Sequence, residues 1–332
     1  MKPLKRLTGL LRKCFSHTPP KGSYSKRKNG ISALILLRNE PFVNSSLLSI
    51  KDLVDEFIVV DCSTDDTPTK VKQVAKEHAL NLKYFHMKPN ITKQLKTAVK
   101  MSSYEWLLHW AGDFIAYTSG KRDIRQLKDI TKTYPKDKFC FIEFSVLNVE
   151  LDLLHTTKNP YHCEAYFFKY SPLLMEMSLL RILRKYISIY VKKRLPRRSP
   201  FIPYPLWYDR ITLNQIFAMH LGSVKPQFRL LERKYDIIWT VVSDAIKQKF
   251  SNSFEEYFRY CIKRDYNKDI KNDKEEVVQT YIEMLKKERN LIPYNIEVYG
   301  DYPIVLKETF GVEISNTKEF RNKLTQFLTN KQ

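Results

Sequence analysis

At 332 residues the chain is long enough to bury a substantial core as one large domain or two, and a 43% hydrophobic, 13% aromatic composition argues for a globular protein. A formal charge of +21 points to nucleic acid, an anionic membrane surface or an acidic polymer as partner, unless it serves solubility alone. The cysteines, at 14, 62, 140, 163 and 261, are odd in number and lack CxxC spacing, which excludes a disulfide frame and a zinc site and suits the reduced thiols of a cytosolic protein.

Residues 1–29 read as a basic amphipathic tail and linker. Leu4, Leu7, Leu10, Leu11 and Phe15 recur at helical spacing between Lys5, Arg6, Arg12 and Lys13. Such a helix could lie on an anionic membrane, peripherally; a docking helix or a solvated tail has the same pattern. Arg12-Lys13 interrupts the apolar run that a secretory signal needs, and no stretch of about eighteen apolar residues offers a membrane span.

Ile31–Leu37 is a short apolar run between Asn29-Gly30 and Arg38-Asn39-Glu40, the pattern of a strand buried on both faces. A helical stretch with Leu47, Leu48, Ile50 and Leu53 on one face follows, then a second buried strand, Phe57–Val60. The second strand ends in Asp61-Cys62-Ser63-Thr64-Asp65-Asp66-Thr67. Strand, helix and strand make a βαβ unit, and ligands of open α/β sheets bind beyond the carboxyl ends of the strands. A polar ligand is therefore expected at Leu37-Arg38-Asn39-Glu40 and the Asp61–Thr67 cluster. Ser63, Thr64 and Asp65 would in any case cap the next helix, which runs to His78.

Leu82–Phe85 is a third strand, and Ile91–Ser102 a helix carrying Lys93, Lys96 and Lys100. Glu105-Trp106 opens another buried strand that ends at Ala111-Gly112-Asp113. Phe139–Asn148 and Tyr161–Tyr170 are further strands, on which Glu143 and Glu164 stand as isolated acids among apolar neighbours. From 173 to 200 the chain mixes apolar residues with eight Lys or Arg, as a basic helical insertion would. Its aromatics are not interleaved with the basic residues as stacking platforms, which disfavours nucleic acid. Pro203–Trp239 holds Asp209, His220, Lys225, Arg229 and Arg233; residues 241–332 are helical by pattern, with amphipathic stretches at Phe254–Tyr266 and Lys274–Lys287.

Asn39-Glu40 after the first strand, Asp61 with Ser63-Thr64-Asp65-Asp66-Thr67 after the second, and Glu105-Trp106 leading to Asp113 resemble the family 2 glycosyltransferases, enzymes of the GT-A fold. The resemblance covers about residues 30–120 well and 135–240 loosely, and implies a catalytic domain over 30–240 built on a Rossmann-like α/β, mainly parallel sheet flanked by helices. It implies a nucleotide-sugar donor, transfer with inversion to a hydroxyl of a glycan or lipid-linked acceptor, and a divalent cation (Mn or Mg). By that resemblance Leu37, Arg38, Asn39, Glu40, Asp61, Ser63 and Asp65 hold the nucleoside, Gly112 and Asp113 meet the sugar-diphosphate, and Asp113 holds the ion. A late histidine can complete the metal shell in related enzymes, which singles out His220, and Lys225, Arg229 and Arg233 could meet the diphosphate.

Three departures stand out. The loop after Asp61 is one residue shorter than usual, with Cys62 in place of two residues. Ala111 replaces the first acid of the family's Asp-x-Asp. Leu95-Lys96 stands where an Arg-Asn pair is usual, leaving Lys93 or Lys96 to supply positive charge, as a point charge and not a fork. An inverting transferase also needs a carboxylate to deprotonate the acceptor. Glu164 is the first choice, ahead of Glu143 and Asp209, although structural ion pairs also use such residues. The alternative to an enzyme is a binding protein on a decayed GT-A fold.

Overall fold

In the computed structural model, residues 26–151, 153–175, 208–241 and 243–312 are described, with a few positions beyond them. The basic tail before residue 19 and most of the basic insertion, 176–200, lie outside the described residues, as does Trp207. The chain divides into two compact units, one comprising 1–112, 116–146 and 162–218, the other 113–115, 147–161 and 219–332.

The first unit is built on β1 (Lys28–Leu37), β2 (Glu56–Asp61), β3 (Leu82–His86) and β4 (Tyr104–Ala111). They lie side by side and parallel in the order β3-β2-β1-β4. β8 (Tyr161–Lys169) then pairs antiparallel with β4, pairing Trp106 with Lys169 and Leu108 with Phe167. This is the mixed, mainly parallel sheet flanked by helices that the GT-A fold requires. Helices α1 (Val43–Ser49), α2 (Thr67–Glu77) and α3 (Ile91–Met101) provide the crossovers, and a further helix, α4 (Leu127–Thr133), lies later in the same unit. α1 is shorter than the apolar spacing suggests: it closes at Ser49, and Ile50 and Leu53 are buried in the turn that follows.

Central β1 is sealed because its neighbours are hydrogen-bonded on both sides and its side chains are apolar on both faces. Ala33, Leu34 and Ile35 are fully buried, and Leu34 joins Ile58, Val60, Leu107, Phe141 and Phe168 in one cluster under α3. A buried carboxylate sets the register. Glu56, at the start of β2, accepts from Ser32 Oγ (2.6 Å), pairs with Lys83 Nζ (2.8 Å) and accepts from the Ser103 N–H. Burial alone would push its carboxyl up, but these donors bring it below the ordinary carboxylate value.

The division between the units falls within β6 (Cys140–Glu150) and β9 (Asp209–Ser223). In the second unit the end of β6 pairs with β7 (His155–Thr156), and β7 with β10 (Ile292–Pro293). Helices α5 (Gln227–Val241), α7 (Phe254–Tyr266) and α8 (Lys274–Arg289) form that unit's core through Leu231, Tyr235, Phe258, Cys261, Ile262 and Ile282; the short α6 (Asp244–Lys249) links α5 to α7. Tyr235 Oη donates to Asp265 (2.8 Å), which satisfies the one polar atom of an otherwise apolar side chain. Among the described residues Cys62, Cys140 and Cys261 are buried free thiols, and no helix is long and apolar enough to cross a membrane.

Candidate functional site

In the first unit, the loops after β1 and β2 are knitted into one platform. Asn39 takes the left-handed conformation (φ 54°), which asparagine tolerates, and so turns the chain sharply after β1. Its N–H donates to Ser63 Oγ (2.7 Å), its Oδ1 accepts from the Thr64 N–H (2.7 Å), and the Glu40 N–H donates to Thr67 Oγ1 (3.0 Å). Asp61 is fully buried at the end of β2. Its Oδ1 accepts from the Ser63 N–H and its Oδ2 from Tyr84 Oη, each at 2.7 Å. Burial, and then the hydrogen bond to Asp61, raise the Tyr84 phenol well above its ordinary value. Asp65 is exposed and accepts from the Thr67 N–H at 3.0 Å, so it serves the start of α2.

The end of β4 closes against this platform. A Cβ on Gly112 would lie 2.3 Å from Leu37 Cδ2 and 3.1 Å from Glu40 Cγ, so a larger residue there would displace the buried Leu37 side chain. Ser46 of α1 donates to the Ala111 carbonyl (3.1 Å) and accepts from the Trp110 indole N–H (3.1 Å), which anchors the strand end. Arg38 and Gln94 reach Cys62, but burial prevails and the thiol's pKa is raised. Lys93 and Lys96 are exposed on α3.

In the second unit a second buried aspartate has a different environment. Asp113 is 3% exposed, and its backbone carbonyl accepts from the Leu221 N–H (2.8 Å), which pairs the start of β5 (Phe114–Ala116) with β9. Its carboxylate faces His220 Nε2 (3.5 Å), Arg233 (3.5 Å) and Lys225 Nζ (3.7 Å). Burial would raise the carboxyl pKa; the charge and hydrogen bonding of His220, then the charges of Lys225 and Arg233, instead hold it far below the usual range. Lys225 is itself buried, a cation that cannot stand there without a counter-charge. Arg233 also donates to the Gly222 carbonyl (2.8 Å), while Arg229 is committed to Glu232 (3.0 Å) and lies 4.0 Å from Asp236.

Asp113 Oδ1 and His220 Nε2 stand 3.5 Å apart, with Lys225 and Arg233 on the other carboxylate oxygen. Around one ion with bonds of about 2.1 Å, adjacent protein donors stand roughly 3–3.5 Å apart, which the Asp113–His220 separation matches. Among the described residues there is no cluster of three or more His, Cys, Asp or Glu.

The acceptor-base candidates occupy separate settings. Glu143 is bound by the Arg210 guanidinium. Asp209 accepts from Tyr134 Oη (2.9 Å), and its N–H donates to the Phe139 carbonyl (2.9 Å). Glu164 lies on β8, its side chain outside the described residues. Three residues that sequence reasoning passed over belong to the two aspartate environments: Tyr84, Asn148 and Gly222. Gly222 carried a readable signal, since a glycine inside a strand marks a close approach.

No family model matches the chain, and no curated protein does. Among solved structures the chain is similar to the mannosyltransferase PcManGT from Pyrobaculum calidifontis, in complex with GDP-Man and Mn2+, at 13% identity over 98% of this chain and 95% of that one (TM-score 0.39). It is similar to residues 1–349 of S. aureus TarS at 15% identity over 72% and 74% (TM-score 0.36). A putative glucose-1-phosphate thymidylyltransferase from Bacillus anthracis shares 12% identity over 58% and 90% (TM-score 0.37).

Proposed function

We propose that the chain is a glycosyltransferase that moves a sugar from a nucleoside-diphosphate donor to a hydroxyl of a glycan or lipid-linked acceptor, with inversion. The observation that carries this reading is the Asp113 environment: one buried carboxylate at a strand end, set among an imidazole and two fixed cations. The platform of Asn39, Glu40, Asp61 and Ser63 supports it, because it stands at the carboxyl ends of parallel strands, where nucleotides bind in α/β sheets. Catalysis is assigned to residues 30–240 and a supporting role to 241–332.

The acceptor oxygen attacks the anomeric carbon as a carboxylate takes its proton, and the bond to the diphosphate breaks with its electron pair leaving on phosphate oxygen. Glu164 is the proposed base, as the resemblance to the family suggests; Glu143 and Asp209 are engaged by Arg210 and Tyr134. Lys225 and Arg233 face the growing negative charge from fixed positions, which in a low-dielectric setting is worth more than the same charges in water. A divalent cation held by Asp113 and His220 would add Lewis-acid neutralisation of that charge when bound. Peripheral attachment to an anionic membrane through 1–29 and 173–200 is part of the proposal, and flotation with phosphatidylglycerol vesicles tests it; recovery only in the protein-alone fraction removes it.

The deciding experiment is a melting-temperature and hydrolysis screen of UDP-, GDP-, CMP- and dTDP-sugars, with and without Mn2+. A metal-dependent rise for one donor together with its slow hydrolysis is expected. Binding without turnover, in the presence of acceptor extracts, would favour the second reading, a binding protein on a decayed fold. Ala111 and the occupied carboxylate of Asp61 are the observations on that side.

A further inference from the structure

His220 is oriented by a residue that is no candidate ligand. Asn148, near the end of β6, places its Oδ1 2.6 Å from His220 Nδ1. An amide oxygen only accepts, so Nδ1 carries its proton toward Asn148 whether the ring is neutral or charged. The remaining nitrogen, Nε2, is then the one that exchanges partners, and it is the nitrogen that faces Asp113 at 3.5 Å.

Two further contacts fix the same orientation. Phe114 meets the imidazole edge-on, with ring centroids 4.8 Å apart and planes at 80°. Gly222 stands two residues after His220 on the same face of β9, and a Cβ there would lie 2.4 Å from Nε2 and 2.9 Å from Cε1. The glycine's φ lies outside the left-handed region, so its backbone asks for no special residue; the histidine ring does. Asn148 itself is held: its carbonyl accepts from Thr156 Oγ1 and its N–H donates to the Pro160 carbonyl, each at 2.8 Å.

We infer that Asn148 is a positioning residue that turns His220 Nε2 toward Asp113 as a divalent-metal donor, with Gly222 supplying the space the ring needs. The inference rests on the reading of Asp113 and His220 as the metal pair. Residues that orient a metal-bound histidine typically change affinity by about 10–100-fold when removed.

The test uses the full chain and Mn2+ alone, with binding followed by electron paramagnetic resonance. Wild type is expected to bind, His220→Ala to lose binding, Asn148→Leu to weaken it by about 10–100-fold, and Asn148→Asp, which keeps an acceptor, to retain it. Gly222→Ala is expected to weaken it comparably. Wild-type affinity in Asn148→Leu, with binding lost in His220→Ala, overturns the inference and leaves the metal pair standing. Absence of binding in wild type overturns the metal pair itself. Histidine-selective 15N spectra, assigned with His220→Ala, read the tautomer independently of metal. His220 should carry a proton on Nδ1 in wild type, and the neutral ring should shift toward Nε2 in Asn148→Leu; a wild-type ring with no proton on Nδ1 overturns the inference whatever the metal does. Melting curves confirm that each variant is folded before its affinity is read.

Discussion

Two aspartates at strand ends are both removed from water, yet their surroundings are opposite. Asp61 is held by two uncharged donors at 2.7 Å, an ordinary hydrogen-bond length. Asp113 is met by an imidazole, an ammonium and a guanidinium at 3.5–3.7 Å, beyond that length. The first is a finished joint: a backbone N–H and a phenol satisfy it, and the β1 and β2 loops stand on the result. The second is a charge cluster held by Coulomb attraction with slack in every contact, so a partner can be exchanged without breaking a tight hydrogen bond. A buried carboxylate can therefore serve architecture or chemistry, and its donors' charge and distance tell which.

The largest effect that sharpens this contrast is expected from Asp113→Asn. Removing the charge takes a counter-charge away from buried Lys225, which should cost about 3 kcal/mol in urea unfolding. Donor turnover should fall by at least about 100-fold, the size of losing one strong electrostatic contact to a transition state. Near-normal turnover in this variant would sink the chemical assignment of Asp113.

Acid separates the two regions next. His109 on β4 is shut from water at Nδ1, which has no hydrogen-bond partner, and burial lowers its pKa from 6.5 to about 4. Between those values the unfolded chain binds a proton that the folded chain refuses, so stability falls as pH drops from about 6.5 to 4. The loss should reach at most about 3 kcal/mol. Asp113, with its carboxyl lowered in the fold, contributes stability that is intact above the ordinary carboxylate range and lost only as pH falls below about 4. Equilibrium unfolding at stepped pH should show the first loss, and His109→Leu should flatten it; an unchanged slope would remove His109 as its source.

Smaller effects test the joint. Asp61→Asn keeps an acceptor for the Ser63 N–H but cannot accept from Tyr84 on its other arm, and should cost about 2 kcal/mol. Tyr84→Phe should cost about 1 kcal/mol and leave turnover within a few-fold of wild type, since the phenol serves Asp61 and not the reaction. Loss of turnover at unchanged stability in Tyr84→Phe would make the platform chemical after all. The baseline is set by Lys132→Gln, which breaks an exposed ion pair with Asp129 (3.3 Å) and should stay within about 0.5 kcal/mol.

Much of the first unit was legible because its signals are local. An apolar run with turn residues at both ends places Ile31–Leu37 in a buried strand, and the same reasoning places Phe57–Val60, Leu82–Phe85 and the strand from Trp106. Observed boundaries differ by a few residues, since pairing partners extend a strand past its apolar run: β1 begins at Lys28, which pairs with Tyr104. The 15-residue strand Asp209–Ser223 was not legible. In its first half the half-buried Ile211 and Leu213 alternate with exposed Thr212 and Asn214, but Asn214-Gln215 breaks that short period, and its partners β5 and β6 make it one long strand.

Candidate residues show the same limit. Asp113 and His220 were singled out by motif, 107 positions apart, but nothing in the chain's order says that Lys225 and Arg233 converge on the same carboxylate. Asn148 was equally out of reach, because an asparagine in an apolar strand has no partner until the fold supplies one. What the amino-acid sequence determined by itself was the alternation of strand and helix and the residue types at the strand ends, both set by hydrophobic period and turn chemistry within about ten residues. Only the tertiary structure decided which aspartate is satisfied by neutral donors and which is left among charges. That outcome depends on contacts between residues 23 to 120 positions apart, which local preference does not encode.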